Sequence, residues 1–453
     1  MMKEEEGQKS KEEEEKLDFS NEVEIFIDHM ESLYQTSPTV NLILRFFEFA
    51  SSKKVDEFVK DKGFIEKDEE GNEVTKIDYN HLNKWMDLTK KQQNSKLAYS
   101  IIQRNFIVSF VSQFDAYIGS LIRKMFLIKP ELLNSSEKNL SFSKLSEFNS
   151  VSEAQEYIIE KEIESVLRDS HANQFKWLEN KLGIPLTKDL PSWKNFIEIT
   201  ERRNLFVHSN GVISSQYLSV CEKHSVEVEK DVKSGQKLSV DDDYIIKAYC
   251  CLFEIGVKLS QVIWRKLLPH DIGDADDNLN DVIYKLLRSK DYELAIKLSE
   301  FATSILKKHS SQEFKLIFEV NKAQSYKWAG KEENCIKMMK GMDWSAMSDK
   351  FKLAKAVLLD DYKEVYKLMK KIGDDEDELP REGYQEWPLF TKIREEDEFK
   401  KLFKEIYKDE YEYVQYDDNS LLRFGVEESN NGEKEKVKKK KLPPTNTKNE
   451  YAN

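Results

Sequence analysis

One short segment, residues 201–211, combines side chains that can act on a phosphodiester bond. Arg203 and His208 are separated by four residues, and the tripeptide Ser209–Gly211 follows at once. The guanidinium of an arginine can bind a phosphate and stabilise charge that develops on its oxygens. The imidazole of a histidine can accept a proton from an attacking hydroxyl or donate one to a leaving oxygen. The two residues are therefore candidates for phosphodiester chemistry.

These side chains must be positioned by a helix and by the point at which it ends. Apolar residues recur at helical spacing from Trp193 to Thr200, which predicts an amphipathic helix that continues to His208. The Asn-Gly pair that comes shortly afterwards suits the left-handed conformation that commonly ends a helix. On a straight helix, side chains five residues apart point about 140° away from each other. A helix that ends just after His208 allows the imidazole to approach Arg203 more easily.

Three further helices are predicted around this segment. A long amphipathic helix carries apolar residues at helical spacing from Phe106 until a proline ends the pattern. A second helix covers roughly residues 151–182, and another covers 244–268 after an acidic cap signal. Between them, residues 217–241 break the helical pattern. Alternating apolar residues about a Ser-Gly pair there indicate a short hairpin or an ordered loop.

The residues around the candidate site resemble the HEPN superfamily. The order Arg203-Asn204-x3-His208 fits its Arg-(polar)-x3-His signature, whose spacing allows four to six intervening residues. Arg202 fits the same signature with five residues between it and the histidine. The spacing alone is a weak pattern, and the flanking helices and the Asn-Gly stop make it more specific.

The resemblance extends to the predicted long helix. The run Phe114-Asp115-Ala116-Tyr117 is similar to the first core helix of defence-associated HEPN proteins, and the match covers about residues 100–268. Active members are metal-independent endoribonucleases built as bundles of four to five helices. They dimerise so that two Arg/His motifs face each other across a cleft. Many act in bacterial toxin–antitoxin or anti-phage abortive systems.

Carried onto this chain, the resemblance implies an RNA-cleaving site. Arg203 would orient and stabilise the scissile phosphate, and His208 would act as general base or acid during attack by the RNA 2′-hydroxyl, which leaves a cyclic phosphate. Asn204 would form hydrogen bonds within the site. Arg202 and Asp115 are the supporting candidates, although Asp115 equally suits a solvated helix surface. The 2′-hydroxyl requirement confines this reaction to RNA, and neither a cofactor nor a metal ion is expected.

From about residue 279 the sequence changes character, since three segments share the pattern of a helix, a tight polar turn and a second helix. Their spacing is about 33 residues, the period of tetratricopeptide repeats. A helical pair of this kind cannot bury its apolar face alone, so stacked neighbours are expected to complete the core. The sequence thus predicts a tetratricopeptide-like α-solenoid with a terminal cap around Trp387.

The composition is that of a helical chain. Of 453 residues only 15 are Gly and 9 are Pro, while 34% are charged, so the turns that a β-sandwich or an α/β barrel needs are scarce. The net charge of −13 argues against unspecific coating of nucleic acid but allows a local basic cleft. The four cysteines show no disulfide pattern, and no apolar stretch suits a signal peptide or a membrane span. These features indicate a cytoplasmic protein.

These patterns predict an all-α fold in which an HEPN helical bundle precedes a tetratricopeptide-like α-solenoid. Within the N-terminal segment, separate short helices and a polar turn around residues 69–72 are expected. The predicted units are a disordered acidic tail, an N-terminal helical segment, the HEPN-like domain, the repeats with their cap, and a disordered basic tail, at residues 1–20, 21–95, 96–270, 275–415 and 416–453.

Two functional interpretations follow. One is a metal-independent endoribonuclease of a bacterial anti-phage, abortive-infection or toxin system. This enzyme would act on RNA as a homodimer through its HEPN domain. Its repeats would serve as a sensor or would bind a protein trigger, antitoxin or defence partner. The other is non-catalytic: the HEPN domain only dimerises, and the repeats bind a partner protein.

The remaining histidines form no His-x3-His pair and no Cys/His cluster, so no metal site is predicted. Phosphate-binding loop and GxSxG motifs are also missing.

Overall fold

The computed structural model describes residues 18–67, 73–135, 140–227 and 232–411. Within these ranges the chain forms sixteen α-helices and one two-stranded antiparallel sheet, which confirms the prediction of an all-α protein. Residues 1–17 and the predicted basic tail, residues 416–453, lie outside the described ranges.

The first helix, α1 (Phe19–Lys62), begins inside the segment that the sequence assigned to the acidic tail. Asp18 caps this helix through its side chain, and the buried ring of Phe19 stacks on Trp264 with a centroid distance of 5.4 Å. A capped first turn with a buried aromatic ring explains why the helix starts this early.

Helix α1 and helix α2 (Leu82–Ile128) are the two long helices of the fold, and a β-hairpin joins them. Strands β1 (Gly63–Lys67) and β2 (Glu73–Ile77) pair antiparallel, with the first residue of β1 opposite the last residue of β2. The polar turn predicted at residues 69–72 lies outside the described residues. The short helices predicted in this region are wrong, because two long helices and a hairpin take their place.

Helix α1 continues through Pro38, where the sequence pattern indicated separate helices. A proline inside a helix removes one backbone hydrogen bond and costs about 3 kcal/mol or more. Tertiary contacts hold the helix on both sides of this point. Tyr34 stacks on Tyr249 at a centroid distance of 4.1 Å, and Arg45 donates to the hydroxyl of Tyr99 on α2 at 3.1 Å. These contacts offset the lost bond.

Parts of α1 and α2 pack with further helices into one bundle. These helices are α4 (Val151–Leu167), α5 (His171–Leu182), α6 (Trp193–Ser209), α7 (Ser215–Lys223) and α8 (Asp242–Leu267). The short helix α3 (Phe142–Leu145), which buries none of its residues, precedes α4. The buried rings of Phe114 on α2, Phe175 on α5 and Phe196 on α6 pack together in the core. Their packing determines where α6, the helix of the candidate motif, lies.

Two boundaries in the bundle differ from the sequence pattern. The single helix predicted over residues 151–182 is two helices, α4 and α5, because the hydroxyl of Ser170 accepts a backbone hydrogen bond and starts a new helix. Gly183, in the left-handed conformation, ends α5. Helix α2 runs without interruption across the position between residues 95 and 96, so the N-terminal segment shares a helix with the residues that follow it.

The hairpin predicted in residues 217–241 lies only partly within the described chain, since residues 228–231 are not described. The first part of the region forms α7. After the gap, Lys237 pairs with Val212 as an isolated antiparallel bridge. The extended residues therefore pair with the segment that follows α6.

Three helix–turn–helix pairs follow the bundle. They are α9 (Ile272–Arg288) with α10 (Tyr292–Glu300), α11 (Gln312–Trp328) with α12 (Glu332–Gly341), and α13 (Asp349–Leu358) with α14 (Tyr362–Ile372). Each turn contains one residue with positive φ, namely Lys290, Gly330 and Asp360. These turn residues are 40 and 30 positions apart, so the spacing is not the uniform period of about 33 residues that the sequence suggested.

Two short helices, α15 (Arg381–Glu386) and α16 (Asp397–Tyr407), follow the last pair. Phe390 and Phe399 are fully buried there, in a core cluster distinct from that of the bundle. Among the described residues, no helix combines the length and the apolar character that a membrane crossing requires.

Candidate functional site

Helix α6 ends where the sequence predicted. Asn210 adopts the left-handed conformation with φ of 50°, Gly211 has φ of 82°, and the Gly211 amide donates to the carbonyl of Leu205 at 2.9 Å. A Cβ at Gly211 would lie 3.3 Å from the Phe206 ring, so both the backbone conformation and the close packing favour glycine. The Asn-Gly pair therefore ends the helix shortly after His208.

A buried arginine on α2 holds this helix end. Arg104 is 5% exposed, and its Nη1 donates to the backbone oxygen of Asn210 at 3.0 Å and to Asn210 Oδ1 at 2.7 Å. The Arg104 Nε also donates to the carbonyl of Ser100 at 3.1 Å. A cation at this place complements the negative end of the helix dipole. Arg104 thus fixes the last turn of α6 relative to α2.

Arg203 is linked to two of the residues that the sequence selected. Its Nη2 donates to Asp115 Oδ2 at 2.9 Å, and its Nη1 donates to Asn204 Oδ1 at 3.2 Å. The side chains of Arg203 and Asp115 are each 22% exposed, so the ion pair is partly shielded from water yet reachable from outside. The fold brings these three residues together from α2 and α6.

His208 lies on the last turn of α6 and is exposed. Within the described part of the chain, its imidazole has no hydrogen-bond partner, so the structure does not link it directly to Arg203, Asn204 or Asp115. An exposed imidazole is free to contact a large ligand that also reaches Arg203.

Arg202, the other arginine that fits the signature, faces different residues. Its Nε donates to Glu198 Oε1 at 2.6 Å, and its guanidinium lies 4.0 Å from the ring centroid of Tyr244. The hydroxyls of Tyr217 and Tyr244 donate to the same buried carboxylate at 2.8 and 2.7 Å. Burial, followed by the charge of Glu198, raises the pKa of both tyrosines, so they stay protonated donors at neutral pH. Arg202 therefore joins a network that ties α6 to α7 and α8.

The structure adds His171, a residue that the sequence did not reveal. His171 is the first residue of α5 and is 5% exposed, and its Nε2 lies 2.8 Å from Asp115 Oδ1. Asp115 thus pairs with His171 through one oxygen and with Arg203 through the other. We call Asp115, His171, Arg203 and Asn204 the arginine cluster. No local pattern marks His171, since its contact spans 56 positions of the chain.

Glu201 lies beside the arginine cluster on α6. Burial raises the pKa of its carboxyl, while the imidazole of His171 and a hydrogen bond with Asn204 act in the opposite direction and only partly offset this effect. Glu201 therefore holds its proton to a higher pH than an exposed glutamate does.

The arrangement suits the binding of an anion and the transfer of a proton. A guanidinium has five N–H donors. In Arg203, Asp115 and Asn204 each accept one hydrogen bond from the Nη atoms. The remaining N–H groups of Nη1 and Nη2 can bind phosphate oxygens. His208 can move a proton. In the ranges that the structure describes, no group of three His, Cys, Asp or Glu side chains is arranged to hold a metal ion.

No family model, curated protein or solved structure matches this chain.

Proposed function

We propose that this protein is a metal-independent endoribonuclease of the HEPN type. The observation that carries the proposal is the arginine cluster, in which Arg203 of α6 pairs with Asp115, together with the exposed His208 further along α6. Five residues of helix rise by about 7.5 Å. The two side chains also leave the helix about 140° apart, so we propose that the RNA curves around the end of α6 to contact both Arg203 and His208.

In the proposed reaction the nucleophile belongs to the RNA itself. The 2′-oxygen forms a bond to phosphorus, and the bond from phosphorus to the 5′-oxygen breaks. The products are a 2′,3′-cyclic phosphate and a 5′-hydroxyl end. His208 accepts the proton of the 2′-hydroxyl or supplies one to the 5′-oxygen. Arg203 stabilises the charge on the phosphate oxygens, and Asn204 and Asp115 hold its guanidinium.

The helix pairs α9–α14 are proposed to form a tetratricopeptide-like solenoid that serves as a sensor or binds a protein trigger, antitoxin or defence partner. A stacked arrangement is supported by the buried Lys327 of α11, which donates to the carbonyls of Val357 and Leu358 and to Asp360 Oδ1 at 2.9–3.0 Å. These bonds join the second pair to the turn of the third. The setting we propose is a cytoplasmic bacterial anti-phage, abortive-infection or toxin system.

Incubation of the purified full chain with total RNA in EDTA tests the ribonuclease proposal. Wild-type protein should cleave RNA and leave cyclic phosphate ends, which mass spectrometry detects. Arg203→Ala and His208→Ala should abolish cleavage. The exposed His270, just beyond the end of α8, provides a matched control, and His270→Ala should cleave as wild type does. Undiminished cleavage by folded His208→Ala protein would contradict the assignment. An inactive wild type that retains a stable protein partner would favour the non-catalytic scaffold.

The half of α1 that leads to Lys62 offers a candidate surface for contact between two copies of the chain. It lies in the N-terminal segment and not in the HEPN-like domain, through which the resemblance implies dimerisation. Five large apolar side chains are exposed within eight residues: Leu42 58%, Ile43 49%, Phe46 65%, Phe47 57% and Phe49 67%. They recur at the spacing of three and four residues by which helices interdigitate in bundles. Monomeric proteins rarely expose apolar patches of this density.

We propose that a second copy of the chain covers this surface, so that α1 and α2 of two protomers form a four-helix bundle. Residues 42–62 carry five cations and four anions, a near-neutral balance that allows two copies to associate without strong repulsion.

Light scattering during size-exclusion chromatography measures this association. Phe46→Glu with Phe47→Glu should convert a wild-type dimer into a monomer. Phe142→Glu, at a residue 84% exposed on the short helix α3, should leave the dimer intact. A monomeric wild type would overturn the proposal, and a dimer that survives the double substitution would place the interface elsewhere.

A further inference from the structure

The geometry points to His171 as a positioning residue of the proposed site. We propose that it holds the carboxylate of Asp115 in the orientation in which that carboxylate aligns the guanidinium of Arg203. The inference rests on the proposed ribonuclease function and adds helix α5, which lies outside the signature, to the site.

The first support is the division of the Asp115 carboxylate between two partners. His171 Nε2 lies 2.8 Å from Oδ1, and Arg203 Nη2 lies 2.9 Å from Oδ2. An ionised carboxylate only accepts hydrogen bonds, so His171 donates from Nε2. With a donor on each oxygen, rotation of the carboxylate would break both bonds.

The second support is the burial and packing of the imidazole. His171 is 5% exposed, so it does not contact RNA directly and acts through Asp115. Its ring meets Phe196 of α6 nearly at right angles, with a centroid distance of 5.6 Å and an interplanar angle of 84°. The imidazole is thereby fixed against the helix that carries Arg203 and bonded to the helix that carries Asp115.

A second His–Asp pair in the described chain provides a control for this inference. His309 contacts Asp276 at 2.9 Å and the carbonyl of Ala302 at 3.0 Å. That pair lies between α9 and the loop before α11, outside the arginine cluster. The same kind of contact therefore occurs once within the arginine cluster and once outside it, and the second pair serves as a matched control.

Single-turnover cleavage of a short RNA by folded variants tests the role of His171. His171→Leu should lower the rate constant of cleavage about ten- to a hundredfold, because small misplacements of a phosphate-binding group have effects of this size. RNA binding, measured as Kd, should change much less. His171→Gln retains an N–H donor and should recover part of the rate. His309→Leu should lower the melting temperature and leave the rate unchanged.

A double-mutant cycle with Asp115→Asn separates positioning from general destabilisation. If His171 acts through Asp115, His171→Leu should add little to the loss in the Asp115→Asn background. Multiplicative losses, or a full rate in His171→Leu, would overturn the inference.

A measurement that does not depend on RNA cleavage tests the positioning role of His171 separately from the ribonuclease proposal. In wild-type protein, the side-chain N–H signals of Arg203 in ¹⁵N NMR should exchange slowly with water, and His171→Leu should accelerate this exchange. If the wild type fails to cleave RNA but the exchange responds, the ribonuclease proposal fails and the positioning contact stands. Unchanged exchange overturns the inference in either case.

Discussion

The buried carboxylate of Asp276 on α9 allows a quantitative test of the fold. Asp276 has no exposed surface and accepts four hydrogen bonds: from Arg265 Nη2 at 2.7 Å, His309 Nδ1 at 2.9 Å, the Ser310 amide at 2.7 Å and the Ser310 hydroxyl at 2.8 Å. These bonds connect α8, α9 and the loop before α11. Asp276→Asn removes the charge and turns an amide group towards at least one of these donors.

The pKa of Asp276 sets the size of the effect. Burial alone would raise this pKa, but the hydrogen bonds from His309, Ser310 and Arg265 outweigh burial and lower it from 3.8 to about 2. One pKa unit corresponds to about 1.4 kcal/mol, so the ionised carboxylate contributes about 2 kcal/mol near neutral pH. We expect Asp276→Asn to reduce the free energy of unfolding by at least about 2 kcal/mol, since the buried Arg265 also loses its partner.

The dependence on pH follows from the direction of the shift. The pKa of Asp276 is lower in the folded protein than in the unfolded chain. The ionised carboxylate therefore gives its full stabilising free energy above about pH 4, and this stabilisation declines as the pH falls towards 2. Urea denaturation at pH 7 and at pH 2.5 measures the difference between wild type and Asp276→Asn, which should shrink at the lower pH. Asp277→Asn, at the exposed neighbouring residue, is the control. A loss below about 0.5 kcal/mol at pH 7, or a loss that is the same at both pH values, would refute the reasoning.

Three further substitutions test other contacts. Gly256→Ala should lower stability by about 1–3 kcal/mol, because its Cβ would lie 2.4 Å from the Phe26 ring; an unchanged melting temperature would contradict the close contact of α8 with α1. Arg104→Met should lower RNA cleavage about tenfold or more, because the end of α6 loses the two hydrogen bonds from Arg104 to Asn210. Circular dichroism should show that the protein stays helical. Full activity would show that these two bonds are dispensable for cleavage. Lys327→Met should destabilise the last two helix pairs by about 2 kcal/mol, which hydrogen exchange should detect as faster exchange in α13; unchanged protection would argue against the link.

Several local features follow directly from the sequence. The end of α6 at Asn210 and the end of α5 at residue 182 match the prediction. Helix α8 follows the predicted acidic cap and begins at Asp242, two residues before the predicted start. Each depends on a side chain or a backbone conformation within one helical turn, so neighbouring residues suffice to specify it.

Other features depend on contacts that the sequence pattern does not display. Helix α1 passes through Pro38 because tertiary contacts hold both of its halves. The β-hairpin connects two helices that pack against each other. The break between α4 and α5 had a local signal that the helical periodicity obscured, namely the capping hydroxyl of Ser170.

The sequence by itself determined that α6 carries the motif residues and ends shortly after His208. It did not decide which arginine faces the site, since Arg202 and Arg203 both fit the signature. Neighbouring residues on a helix differ by about 100° in direction, so the packing of α6 against α2, α5 and α8 directs Arg203 to Asp115 and Arg202 to Glu198. The α2 residues that contact this helix and its end, Asp115 and Arg104, lie 88 and 106 positions away from their partners in the chain. Only the folded core, in which Phe114, Phe175 and Phe196 meet, brings them together.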